Sequence, residues 1–149
     1  MEVFVSHTHQ DKEIAERIKG LIETSGAKAN LLTYEVDPSQ TIIEKVKNGI
    51  KKCDLGIILW TKNSEKKEWI IQEAGALAIT EKPIIVLMES SINPPGAMLE
   101  GIHYVRFGDI EGMKSLVEWL KQRVQNEELW KIILILGGGL FLIWYLFSK

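Results

Sequence analysis

Apolar residues in this chain fall into two alternating kinds of run, short continuous ones and longer ones spaced by three and four. Val3-Phe4-Val5, Ala29 to Tyr34, Leu55 to Trp60 (LGIILW), Pro83 to Met88 (PIIVLM) and His103 to Phe107 read as five strands. LGIILW and PIIVLM have no polar alternation, as expected of strands covered on both faces. Ile14, Ile18, Leu21 and Ile22 recur at helical spacing. Thr8 can cap that helix with Asp11 three residues on, and Gly26 ends it. After a break at Glu35-Val36-Asp37-Pro38-Ser39, Thr41 and Glu44 open a second helix carrying Ile43, Val46 and Ile50. A polar loop, Thr61 to Lys67, leads into a third helix from Glu68 to Thr80, and Met113, Leu116, Val117, Leu120 and Val124 mark a last one. Strands alternating with helices predict an α/β fold, a doubly wound parallel sheet with helices on both faces.

The last stretch breaks this pattern. Ile132 to Ser148 (IILILGGGLFLIWYLFS) holds no charge and no polar face, and as a helix it would be roughly 25 Å long against a hydrocarbon core of about 30 Å. Trp130 and Trp144-Tyr145 suit the two headgroup belts, with Lys131 and Lys149 at the ends. The expectation is one domain over residues 1–128 and a single-pass C-terminal transmembrane helix over 129–149, with the domain facing the cytoplasm, since Met1 to Ser6 has neither a basic start nor a long apolar run. Gly137-Gly138-Gly139 would allow close contact between anchor helices.

Charge and composition narrow the function. The chain's formal net charge is −2, all 20 acidic residues precede residue 129, and only Lys131 and Lys149 of the 18 basic ones follow it. A mildly acidic domain without a Lys/Arg-rich run gives no reason to expect nucleic-acid binding. The single Cys53 fits a reducing compartment and reads as a buried small residue. His7 and His9 lack an evident third ligand, so no metal is expected. Phosphate-binding glycine motifs are absent from the first 128 residues.

Ligands of an open α/β sheet bind beyond the carboxyl ends of its strands, which points to Ser6-His7-Thr8, Glu35 to Gln40, Trp60-Thr61-Lys62 and the helix after Lys67. In that helix WIIQEAGALAI carries one ionisable group, Glu73. Trp69, Glu73 and Ala76 share one helix face, while Ile70, Ala74 and Leu77 face the sheet. A lone carboxylate beside apolar surface is a site candidate, although from the residues alone it is more simply what an amphipathic helix presents to water.

VFVSHTHQDKEIAERIKGLIE, the acidic loop with Pro38, and IKKCDLGIILWTKNSEKKEWIIQEAGALAITEKPIIVLME together resemble a TIR (Toll/interleukin-1 receptor) domain of the prokaryotic type over roughly residues 1–125. The resemblance implies a five-stranded flavodoxin-like sheet. It implies cleavage of the nicotinamide–ribose bond of NAD, as substrate rather than cofactor, with the glutamate of Trp-x-x-x-Glu, here Glu73, as the catalytic group. Ser6 and His7 would approach the nucleotide, and Trp69 would either lie against the pyridinium or pack at the pocket edge. Some NAD-cleaving relatives place an aromatic residue where this chain has Ile42 and Ile43, and some place arginines where it has His7 and Thr8. The family's loop after the second strand helps complete a neighbour's site, which makes Glu35, Asp37 and Pro38 the expected assembly loop. A defence role, self-association and membrane attachment follow from the same resemblance joined to the apolar tail. Two alternatives stay open: a non-catalytic TIR adaptor assembling through domain contacts, and a related N-ribosyl enzyme such as a nucleoside deoxyribosyltransferase.

Overall fold

The computed structural model describes residues 1–32, 38–64, 75–77, 79–94 and 103–135, with backbone alone for 42, 43 and 128–135. Among them, strands β1 (Glu2–Ser6), β2 (Lys28–Leu31), β3 (Leu55–Trp60), β4 (Ile84–Met88) and β5 (Tyr104–Arg106) form one sheet in the order β2-β1-β3-β4-β5. Every pairing is parallel, with Val3 opposite Leu55 and Ala29, and Gly56 opposite Ile84. The doubly wound α/β sheet expected from the sequence is present. Among the described residues lie the helices α1 (Lys12–Glu23), α2 (Ile42–Lys52) and α3 (Ile110–Ile135).

Strand alternation divides the core in two. Val3, Val5, Leu55, Ile57 and Leu59 pack with Ala15, Ile18 and Ile22 of α1 and with Leu116, Leu120 and Val124 of α3. Phe4, Ile58, Trp60, Val86 and Met88 face the other way, toward Ile50 of α2, Leu77 and Ile92. All six residues of β3 are buried, which is why that strand carried no polar position. Two glycines let elements approach. The Phe4 ring occupies the space a Cβ at Gly49 would need, and a Cβ at Gly56 would lie 2.7 Å from Cδ1 of Leu77.

Local signals are realised unevenly. Thr41 and Glu44 form a reciprocal capping box at α2, with the Glu44 amide donating to Oγ1 of Thr41 at 3.2 Å and the Thr41 amide donating to Oε2 of Glu44 at 2.7 Å. The Thr41 amide bond, and after it the Thr41 hydroxyl donating to Oε2 at 3.0 Å, hold the Glu44 carboxyl below its ordinary value. Gly26 takes φ +88° in the turn from α1 to β2, as its place after the first helix predicted. At Thr8 the expectation fails. A 3-10 turn, His9–Asp11, precedes α1, and the Thr8 side chain makes no cap bond to the helix.

Helical backbone occurs at 75–77 and 79, where Leu77 is buried and Ala76 exposed, matching the two faces read from the sequence at these positions. Helix α3 runs unbroken past residue 128. Among the described residues no helix is long and apolar enough to cross a membrane. Residues 136–149, most of the expected anchor, lie outside the described residues.

Candidate active site

The order β2-β1-β3-β4-β5 reverses between β1 and β3, and that switch point is where a doubly wound sheet opens a crevice beyond its carboxyl ends. β1 ends there on Ser6, followed by His7 and Thr8; β3 ends on Trp60, followed by Thr61. Ser6, His7, Thr8, Asp11, Thr61 and Ser64 are all buried, an unusual concentration of polar side chains for so apolar a sheet.

Asp11 organises them. Its Oδ2 accepts the hydroxyl protons of Thr8 at 2.8 Å and of Thr61 at 2.6 Å, and its Oδ1 accepts from the Asn63 amide at 2.7 Å. Thr61 and Asn63 are 50 and 52 residues away in sequence, so one carboxylate joins the loop after β1 to the loop after β3. The second loop is a compact turn in its own right. The Thr61 backbone amide donates to Ser64 Oγ at 3.1 Å, the Ser64 hydroxyl donates to the Leu59 carbonyl at 3.0 Å, and the Asn63 backbone amide donates to Thr61 Oγ1 at 3.1 Å. Nδ1 of His7 donates to the Thr8 carbonyl at 2.7 Å, which fixes the proton on that nitrogen.

The rim continues along β3 and β4. Glu89 accepts from the Lys62 amide at 3.1 Å and pairs with its ammonium group, while Trp60 Nε1 donates to the Asn93 carbonyl. Arg106 Nη1 donates to the carbonyls of Glu89, Ser90 and Ile92 and thereby holds the loop after β4. Asp11 is buried and shared by three donors, and Glu89 is half-buried and paired with Lys62. Among the described residues no cluster of three or more metal-ligating side chains occurs; His7 is buried and His9 exposed. Cys53 is buried, donates to the Ile50 carbonyl at 3.2 Å, and has its thiol pushed up chiefly by burial, in keeping with an inert small core residue.

Of the residues singled out from the sequence, the structure brings Ser6 and His7 to the switch point, with their side chains buried. Pro38 sits in an exposed turn before α2. Ile42 and Ile43 begin α2, with side chains outside the described residues, as are Glu35, Asp37, Trp69 and Glu73 entirely. The sequence reading missed Asp11, Thr61, Asn63 and Ser64 as a unit. Thr61 to Lys67 reads in the sequence only as a polar loop, yet its first four residues include two buried ones. A groove of about 1020 Å³ at the opposite edge, between the amino ends of β4 and β5 and α3, includes Tyr104, Trp119 and Arg123 and none of these candidates.

A TIR domain family model matches residues 3–117, a span that takes in both the Ser6-His7 and the Trp69-x-x-x-Glu73 motifs. The chain belongs to the TIR domain family. No curated protein matches this TIR domain chain. Among solved structures it resembles the CMP N-glycosidase BcmB of Clostridium botulinum, at 20% identity over 82% of this chain and 99% of that one, TM-score 0.58. A 2-deoxyribosyltransferase of Bacillus psychrosaccharolyticus matches at 12% identity over 78% and 90%, TM-score 0.61. The SEFIR domain of interleukin-17 receptor B matches at 9% identity over 82% and 95%, TM-score 0.60. At these identities the likeness of the TIR domain to each is one of fold.

Proposed function

We propose that this TIR domain cleaves the nicotinamide–ribose bond of NAD, as a hydrolase or cyclase, with Glu73 as the catalytic carboxylate. The observation that carries the reading is membership of the TIR family across residues 3–117, which embraces Ser6-His7 at the switch point and Glu73 in the segment after β3. The chemistry suits a sparse site. Loss of nicotinamide passes through an oxocarbenium-like state that one nearby carboxylate stabilises or traps. The leaving group departs from a cationic pyridinium as a neutral molecule, so no second carboxyl is required to protonate it. That matters here, because Asp11 and Glu89, the described carboxylates at this edge, are both engaged. Trp69 borders the pyridinium, Ile42 and Ile43 stand where relatives stack an aromatic ring, and Ser6 and His7 form the floor.

Assembly and location complete the proposal. TIR domains associate with one another, and the loop Glu35 to Gln40, with Glu35, Asp37 and Pro38, is the surface proposed to complete a neighbour's site. The uncharged run Ile132 to Ser148 anchors the protein in a membrane with the domain in the cytoplasm, raising the local concentration of like domains. There the protein acts as an effector or signal generator in defence.

A second reading is favoured by the two fold relatives whose names denote N-ribosyl chemistry, an N-glycosidase and a deoxyribosyltransferase: the substrate is a nucleoside or nucleotide and the same glutamate serves. Incubating the full chain separately with NAD, with deoxynucleosides and with CMP, followed by chromatography of the products, separates the two. Nicotinamide with ADP-ribose or a cyclic isomer is expected. Release of a free base from CMP or a deoxynucleoside, with NAD untouched, would replace the first reading by the second, and no turnover of any would leave the adaptor.

A further inference from the structure

A carboxylate with 2% exposure is costly to retain unless its hydrogen bonds hold something that matters. Asp11 does not cap α1, whose N-cap shows no side-chain bond, and it forms no ion pair among the described residues. What it does hold is the relation between two loops. The Thr8 hydroxyl reaches it from the loop after β1, and Thr61 and Asn63 reach it from the loop after β3. The bonds also run in a fixed direction. The Asn63 backbone amide donates to Thr61 Oγ1, and the Thr61 hydroxyl in turn donates to Asp11. Ser64, anchored to the Leu59 carbonyl, is the last described residue before the chain continues toward Trp69 and Glu73.

We propose that Asp11 is the positioning residue of this site: its carboxylate sets the loop after β1 and the loop after β3 in one register, and so fixes the point from which the Glu73 segment departs. This rests on the NAD-cleaving reading for its functional consequence, while the clamp itself is testable without it. The Thr61–Ser64 turn keeps its own bonds to Ser64 Oγ and the Leu59 carbonyl when Asp11 is removed. What is lost is the tie between turn and β1 loop. A role in stability alone would lower the folded fraction; a positioning role lowers the activity of molecules that are still folded.

The test compares full-length wild type with Asp11→Ala, Asp11→Asn and the swap Asp11→Asn with Asn63→Asp. In the swap, the amide introduced at position 11 keeps one oxygen for the two threonine hydroxyls and donates its N–H to the carboxylate introduced at position 63. All three bonds are thus retained while the charge moves to an exposed position. Folding is checked by circular dichroism, kcat and KM are measured for NAD, and amide exchange is followed at Asn63. Asp11→Ala is expected to stay folded with kcat/KM down about a hundredfold, as for a displacement of about 1 Å in a reacting geometry. Asn63 should exchange at least about tenfold faster while amides within β1 and β3 are unchanged. The swap should recover activity to within about tenfold of wild type. If Asp11→Ala fails to fold, Asp11→Asn and the swap decide by the same measures. Wild-type kcat and KM in a folded Asp11 variant, or a loss that only tracks the unfolded fraction, would overturn the proposal, as would a folded swap no better than Asp11→Asn. Should wild type not cleave NAD, the functional reading falls, and unchanged Asn63 exchange in Asp11→Ala would then overturn the clamp as well.

Discussion

The two edges of the sheet solve the same problem by opposite means. At the amino edge, Glu2 pairs with Lys28 at 3.6 Å and its amide donates to Asp54 Oδ2 at 2.7 Å, all in reach of water. At the carboxyl edge, Asp11, Thr8, Thr61 and Ser64 are buried and bonded to one another or to backbone. Solvated pairs trade protein partners for water at little net cost, so they tolerate substitution. Buried donors and acceptors cannot make that trade, and each lost partner leaves a desolvated group behind. The difference locates precision. A crevice expected to hold a substrate is lined where a change of one atom is costly, and the far edge is left permissive.

Three substitutions put that contrast at risk. Thr61→Val keeps the side chain's shape but removes the proton given to Asp11 and the acceptor of the Asn63 amide, so a loss of about 1–3 kcal/mol in denaturant unfolding is expected. A loss near zero would mean that the buried network is not under tension and that the two edges are alike. Thr41→Ala asks whether edge or burial matters, because the Thr41–Glu44 box lies in the open beyond β2. Loss of an N-cap of this kind costs about 1 kcal/mol, less than expected at Thr61. Its pH dependence has a definite sign. The folded carboxyl of Glu44 titrates below its ordinary 4.5, so its contribution is present above that value and fades as pH falls through the lower folded one. The gap between wild type and Thr41→Ala should therefore narrow in acid. Lys28→Ala, at the amino edge, should change stability by no more than about 0.5 kcal/mol, and a larger loss would deny that this edge is permissive.

What the sequence disclosed follows the same division between near and far partners. Leu55 to Trp60 was recognisable residue for residue because a doubly covered strand must be apolar throughout. Thr41 and Glu44 were readable because both partners of their bonds lie within one helical turn. Thr8 and Asp11 show the same three-residue spacing, yet their bonds serve a different end: Asp11 turns to Thr61 and Asn63, half a hundred residues on, and no local pattern announces that. For the same reason Thr61 to Ser64 reads locally as no more than a polar loop, although Thr61, Asn63 and Ser64 following a buried strand are a usable sign. Trp69, Glu73 and the bulk of the apolar tail lie outside the described residues, so the motif and the uncharged run remain their support.

The central claim is that Glu73 makes this TIR domain an NAD-cleaving enzyme, and nicotinamide release by the full-length protein against its Glu73→Gln variant tests it most directly. The amide keeps the size and shape of the side chain and removes the charge that steadies a developing ribosyl cation. With both proteins folded and at high concentration, to allow for assembly, the account predicts steady nicotinamide release by wild type and none above background by Glu73→Gln. Equal release by the two would contradict it.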